Sequence, residues 1–412
     1  MNAEYKIIDN VCLIKTNKYK SINLYLNFAK EYDLKSRLAL HLLSRFIGEY
    51  SNSYKTKVSM TRAKDMLYGA SVNAFVRVKE NLVLLNVKYS FINPKFLIDV
   101  STEDFVEYLK EVLDNVYFSE ELLQEFKKNY KDGVSRSLDK PNAYASNRVV
   151  QIVSKEDSNF ASYDIDHIDE IDDISLDDIK TTYENLKKDY SIDTYIVGDY
   201  DETLVEYIRG LKSDKHFLLN NEQLVIKDLG TIVEEKDISQ SVLNVVYDTP
   251  NNRLSEDFYA YTLGNILFGV VPTSLLFEEI REKLSLCYYV SVFDYKNEGL
   301  VNVFTSYDKK NTDKIVEEID KQLKRLINKD YDFEKLESAR ALFIDSLRST
   351  NDDTDSYIDF LYTHKLNGLN VSLDEYEEGL NKVTVDDISR VFKNYKHVLT
   401  YVLKGVKDEE DL

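Results

Sequence analysis

The chain has 412 residues, 43% of them hydrophobic, with only 12 Gly and 4 Pro; this suffices for two domains with separate cores and argues against disordered or collagen-like behaviour. A formal net charge of -20 disfavours nucleic acid and anionic membrane surfaces as partners. Two distant cysteines, Cys12 and Cys287, provide neither a disulfide framework nor a cysteine-rich metal site, which fits a reducing, cytoplasmic setting.

In chain order, Met1 to Asn10 lacks the basic and apolar regions of an export signal. Asp33 to Ile47 is predicted as a buried helix, because Leu34, Leu38, Ala39, Leu40, Leu42, Leu43, Phe46 and Ile47 cover most of its circumference. Arg37, His41, Ser44 and Arg45 form the narrow polar stripe that remains, and such a stripe needs partners. Gly69 closes the helix that runs from Met60. Ser71 to Lys79 alternates, with Val72, Ala74, Val76 and Val78 on one face, and turns at Glu80-Asn81 into Leu82 to Tyr89. Two long helices follow, Thr102 to Asp114 and Glu120 to Ser137. Past a linker near Lys212 to Lys236, the uncharged stretch from Ala260 to Phe277 is interrupted by Asn265, Pro272 and Thr273, so it reads as a buried helix and a turn, not a membrane span. Leu286 to Tyr295 and Leu300 to Ser306 make a second hairpin, again followed by long helices, Thr312 to Asn328 and Phe333 to Ser349.

The chain repeats itself. Ile174-Ser-Leu-Asp-Asp-Ile179 returns as Val383-Thr-Val-Asp-Asp-Ile388, an offset of 209 (383 − 174). In each, Ser175 or Thr384 caps a helix with an acid at its third position, and a strand follows, Thr194 to Val197 or Thr400 to Leu403. The prediction is an α+β chain of two homologous domains, each a mainly antiparallel sheet covered by helices on one face. Their limits are 1–212 and 237–412, with a linker over 213–236.

None of the five His residues forms a His-x-x-x-His pair, and serine-hydrolase elbows, P-loops and dinucleotide turns are missing. The 31 Tyr read as core or half-buried surface.

Leu40-His41-Leu42-Leu43-Ser44-Arg45 resembles the A-H-x-x-E-H signature of the pitrilysin/insulinase-type zinc metallopeptidases, with its chemistry removed. On that match His41 keeps the first ligand position, Ser44 replaces the glutamate that activates water, and Arg45 replaces the second histidine. Arginine is a donor only and cannot ligate zinc, and serine cannot act as a carboxylate base. The third ligand of the family, a glutamate on the long helix, aligns loosely with Glu125 to Asp132, where solvated acids explain the sequence equally well. Leu67-Tyr-Gly-Ala70 with Asn73-Ala74 resembles the family's edge strand, which pairs with extended substrate. Arg281-Glu-Lys-Leu-Ser-Leu-Cys-Tyr288 resembles the motif R-E-x-x-G-L-A-Y, whose arginine and tyrosine bind substrate backbone and support the tetrahedral intermediate. A purely structural alternative pairs Arg281 with Glu278 or Glu279 and packs Tyr288 in a strand.

The resemblance spans most of the chain, from the helix after Asp33 to the strand near Leu403. It implies a fold like that of the mitochondrial processing peptidase and the inactive bacterial branch of YfmF type, associated with elongation factor P modification. It also implies a chain with no metal, no cofactor and no catalytic residue of its own. Such a chain would be the non-catalytic partner of a zinc-bearing paralogue, binding extended peptide through Asn73, Ala74, Arg281 and Tyr288, or a homodimer where that partner is absent. A non-proteolytic peptide-binding scaffold and a peptidase with a divergent metal site are the alternatives.

Overall fold

The structure, a computed structural model, describes residues 4–8, 11–154, 167–221 and 226–407. The chain divides into two compact units, one of Met1–Val134 with Asp164–Leu219 and the other of Ser135–Tyr163 with Asn220–Leu412.

The first unit opens with β1 (Glu4–Ile8), β2 (Val11–Lys15) and β3 (Ser21–Glu31), followed by α1 (Leu34–Phe46) and α2 (Lys57–Met66). The hairpin of β4 (Ser71–Lys79) and β5 (Leu82–Ile92) comes next, then α3 (Thr102–Asp114) and α4 (Glu120–Leu138). Beyond α5 (Pro141–Val153), the chain completes this unit with α6 (Leu176–Asp189), β6 (Ser191–Gly198) and α7 (Glu202–Arg209). The sheet order is β1-β2-β6-β3-β5-β4, antiparallel except for the β2–β6 pair. Alternation along β3 sends Ile22, Leu24, Leu26 and Phe28 into a core shared with Leu38, Leu42 and Phe46 of α1. The side chain of Asp33 caps α1 by accepting from the Ser36 amide at 2.8 Å. Each fully buried Leu of α1 contributes about 2 kcal/mol of apolar transfer, so tertiary packing holds this helix more than its own propensity does.

In the second unit, β7 (Thr231–Lys236) and β8 (Ser241–Asp248) lead to α8 (Phe258–Asn265) and the hairpin of β9 (Cys287–Tyr295) and β10 (Leu300–Tyr307). The helices α9 (Thr312–Asn328), α10 (Phe333–Ser349), α11 (Thr354–Leu366), α12 (Leu373–Asn381) and α13 (Val385–Phe392) precede the last strand, β11 (Lys396–Gly405). The uncharged stretch is α8 continued by a π-helical turn, Ile266–Val270, and lies in the second core. No helix among the described residues is long and apolar enough to cross a membrane.

The second sheet runs β7-β11-β8-β10-β9 and reproduces the order β2-β6-β3-β5-β4, down to its one parallel pair, β7–β11. Both capping boxes form: Ser175 with Asp178 ahead of α6, and Thr384 with Asp387 ahead of α13. A buried amide pair recurs as well. Asn86 donates to Asn27 at 2.6 Å in the first sheet, and Asn302 donates to Asn244 at 2.9 Å in the second.

The domain limits differ from the contiguous division at 213–236. Helix α5 belongs with the second unit, because its stripe of Ala145, Val149 and Val153 packs with Val242, Val246, Leu300 and Val398. Those residues lie on the sheet face opposite the one packed by α8 and α13, so this sheet gains a second cover. Arg148 anchors α5 by a 2.6 Å ion pair to Glu234, which also accepts from Tyr144 at 3.2 Å and Tyr401 at 3.0 Å. Glu234 lies in β7, inside the expected linker; Thr231–Lys236 is a strand because β11 offers it a parallel partner.

Val149 is 1% exposed. Val149→Ala is expected to lower stability by about 2 kcal/mol, seen as a reduced urea midpoint, since the lost methyls leave a cavity under α5.

Candidate functional site

The degenerate motif lies on α1, and the helix disposes of its polar groups one by one. Ser44 is buried, and its hydroxyl donates to the His41 carbonyl at 2.7 Å, so it is spent on its own helix. Arg45 sends its guanidinium to the exposed side. His41 is half-buried with its ring edge-on to Tyr130 of α4, 4.7 Å between centroids. Burial, joined by the positive charges of Arg45 and Arg37, pushes the His41 pKa down to about 4. At neutral pH it is an uncharged imidazole between two guanidinium groups.

These residues do not fit a zinc ion. One imidazole is present where at least three ligands are needed, and both neighbouring cations oppose a divalent charge. Helix α4 brings Tyr130 to His41, not an acid. Its Glu125 is exposed and pairs with Lys57 at 3.4 Å, and Asp132 is exposed too. Among the described residues there is no cluster of three His, Cys, Asp or Glu able to hold a metal.

Strand β4 is the edge of the first sheet, as the motif resemblance suggested. Asn73 is exposed and Ala74 half-buried, while Val72 points inward. Gly69 (φ +82) turns the chain from α2 into this strand, its amide donating to the Lys64 carbonyl at 2.8 Å. The end of α1 abuts β4: Gly48 has φ +80, and a Cβ there would lie 2.8 Å from Val72. The degenerate motif and the free edge therefore sit side by side in one unit.

Arg281 and Tyr288 occupy the second unit. Arg281 lies in the last turn of a π-helical segment, Phe277–Lys283, and the chain reverses at Ser285, which has φ +50. That position carries Gly in the R-E-x-x-G-L-A-Y pattern, and the left-handed backbone explains why; Ser adopts it at some cost. Tyr288 is 63% exposed near the start of β9, the edge of its sheet. Arg281 meets the main chain of Tyr288, its Nε donating to the carbonyl oxygen at 3.2 Å. Its ion-pair partner is Glu282, in place of the Glu278 or Glu279 considered from sequence, and its guanidinium lies 4.7 Å over the Phe277 ring.

Tyr130 escaped the sequence reading, which searched α4 for acids. The signal was there: Leu123, Phe126 and Tyr130 follow helical spacing and mark the inward stripe.

The sequence family described as "Peptidase M16 inactive domain" matches residues 173–343. Over 411 residues the chain is 25% identical to "Probable inactive metalloprotease YmfF" of Bacillus subtilis (strain 168), spanning 96% of this chain and 95% of that protein. A conserved protein from Enterococcus faecalis V583 has the same fold, with 22% identity, a TM-score of 0.84, and coverage of 99% of this chain and 100% of that one. So does a peptidase M16 inactive domain from Pseudomonas fluorescens, at 16% identity, a TM-score of 0.79 and 99% coverage of both.

Two outcomes follow from α1. Because the folded pKa of His41 lies below its unfolded value, the unfolded state takes up the proton first, and stability falls as pH drops from about 6.5 toward 4. Between pH 7 and pH 5 the loss assigned to His41 is roughly 2 kcal/mol, and His41→Gln should remove that part of the change in urea midpoint. Restoring Ser44→Glu and Arg45→His together should leave zinc binding weak. Adding Tyr130→Glu should tighten it by about tenfold or more, read by equilibrium dialysis and elemental analysis.

Proposed function

We propose that this chain, similar to the inactive branch of the M16, pitrilysin/insulinase-type peptidases, acts as the non-catalytic subunit of a heterodimeric zinc peptidase. In this reading a zinc-bearing paralogue performs hydrolysis, and the present chain holds the extended peptide. The observation that carries it is an asymmetry between the two motifs. At α1 the metal chemistry is gone, with Ser44 bonded to its own helix and Tyr130 packed on His41. At β9 the Arg281/Tyr288 pair is kept, with Tyr288 63% exposed on a sheet edge. An exposed phenol is a suitable donor to a peptide carbonyl or a developing oxyanion.

The exposed Asn73 beside Ala74 on the β4 edge supports peptide holding in the same way, since unpaired strand groups accept an extended chain by β-addition. A cytoplasmic site of action fits the two distant thiols, Cys12 buried and Cys287 half-buried.

The test is reconstitution with a paralogue that has an intact zinc motif. Peptidase activity should appear on mixing and be absent from this chain alone. Tyr288→Phe should lower turnover by about 10²-fold with the complex intact. A Tyr288→Phe complex as fast as the unsubstituted one would remove the shared-site reading.

A further inference from the structure

We propose that Arg281 is a positioning residue: its guanidinium pins a β-bulge that presents Tyr288, and it does not itself meet the peptide as a cation. What Tyr288 is presented to rests on the peptide-holding reading above; the pinning does not.

The register of the β9–β10 pair shows the bulge. Ser306 pairs with Tyr289 and Tyr307 pairs with Cys287, so Tyr288 is the extra residue, with no partner in the ladder. Strand β9 is the edge of its sheet, so among the described residues no further strand takes its outer backbone groups. The carbonyl of Tyr288 would be left to solvent, and Arg281 Nε bonds it at 3.2 Å. A bulge re-aims the side chain of its inserted residue, here a phenol that is 63% exposed.

The turn before the bulge is laced in the same manner. The Leu284 amide donates to the Glu279 carbonyl at 3.0 Å, and the Leu286 amide to the Ile280 carbonyl at 2.9 Å. Asn311 adds a 3.3 Å bond to the Leu286 carbonyl. Arg281 is the last of these ties and the one that reaches the bulge itself.

The guanidinium is also engaged on two further sides. Nη1 is bonded to Glu282, whose carboxylate offsets the charge an oxyanion would need, and one face lies on Phe277. These contacts fix the fork in the orientation that the Tyr288 carbonyl requires.

Glutamine separates the two roles, because its side-chain amide nitrogen stands the same number of bonds from the backbone as Nε and carries no charge. In the full-length chain, Arg281→Ala should speed hydrogen exchange across residues 286–290 by about fivefold to tenfold, and Arg281→Gln should restore slow exchange. In binding of a fluorescein-labelled unfolded casein peptide, Arg281→Gln should match the unsubstituted chain, while Arg281→Ala and Tyr288→Phe lose affinity alike. The double variant should lose no more than Tyr288→Phe alone. Unchanged exchange in Arg281→Ala overturns the proposal. So does Arg281→Gln binding as weakly as Arg281→Ala, or additive losses in the double variant. If the casein peptide is indifferent to every substitution, the peptide-holding reading falls, and the exchange data alone decide the pinning.

Discussion

A helix buried on nearly every side has to find places for the polar groups it carries, and α1 places three of them within its own surroundings. Ser44 returns its hydroxyl to the His41 carbonyl, Arg45 leaves for solvent, and His41 gives up its charge to sit against Tyr130. These arrangements support one another. A neutral imidazole tolerates two nearby guanidinium groups that an imidazolium would not, and a ring edge completes the packing where a carboxylate would have brought in water. The apolar side of α1 thus belongs to the core, and the sheet beneath it has a free edge at β4.

The two sheets show what duplication conserves. Strand order, the single parallel pair, the capping boxes and the buried amide pair are repeated in both. What differs lies at the edges and in the turns leading to them. Strand β4 follows an ordinary glycine turn, whereas β9 follows a π-helical segment, a left-handed serine and a bulge. These margins carry the exposed residues Asn73 and Tyr288, while the repeated features lie in the interior.

Much of this was legible in the sequence because it is local. The limits of α1, α3, α9 and α10, both hairpins and both caps follow from periodicity and from residues within a few positions of one another. The two sheets and their repetition followed from the 209-residue offset. Four features were not legible, and each depends on a partner distant in the chain. Thr231–Lys236 carries three charges in six positions and is a strand only because β11 pairs with it. The destination of α5, the contact of Tyr130 with His41 and the unpaired place of Tyr288 are likewise matters of register and docking. The left-handed turn at Ser285 was not anticipated either, although the glycine of the motif it resembles is the residue such a backbone favours.

The placement of α5 limits how such a chain can be cut or evolved. It is encoded before the apparent boundary between the repeats, yet it lines the sheet encoded after it, tied there through Glu234. A gene split at residue 212 would yield one fragment bearing an orphaned apolar helix and another with a bare sheet surface. The two repeats are therefore interleaved along the chain, although each packs a core of its own.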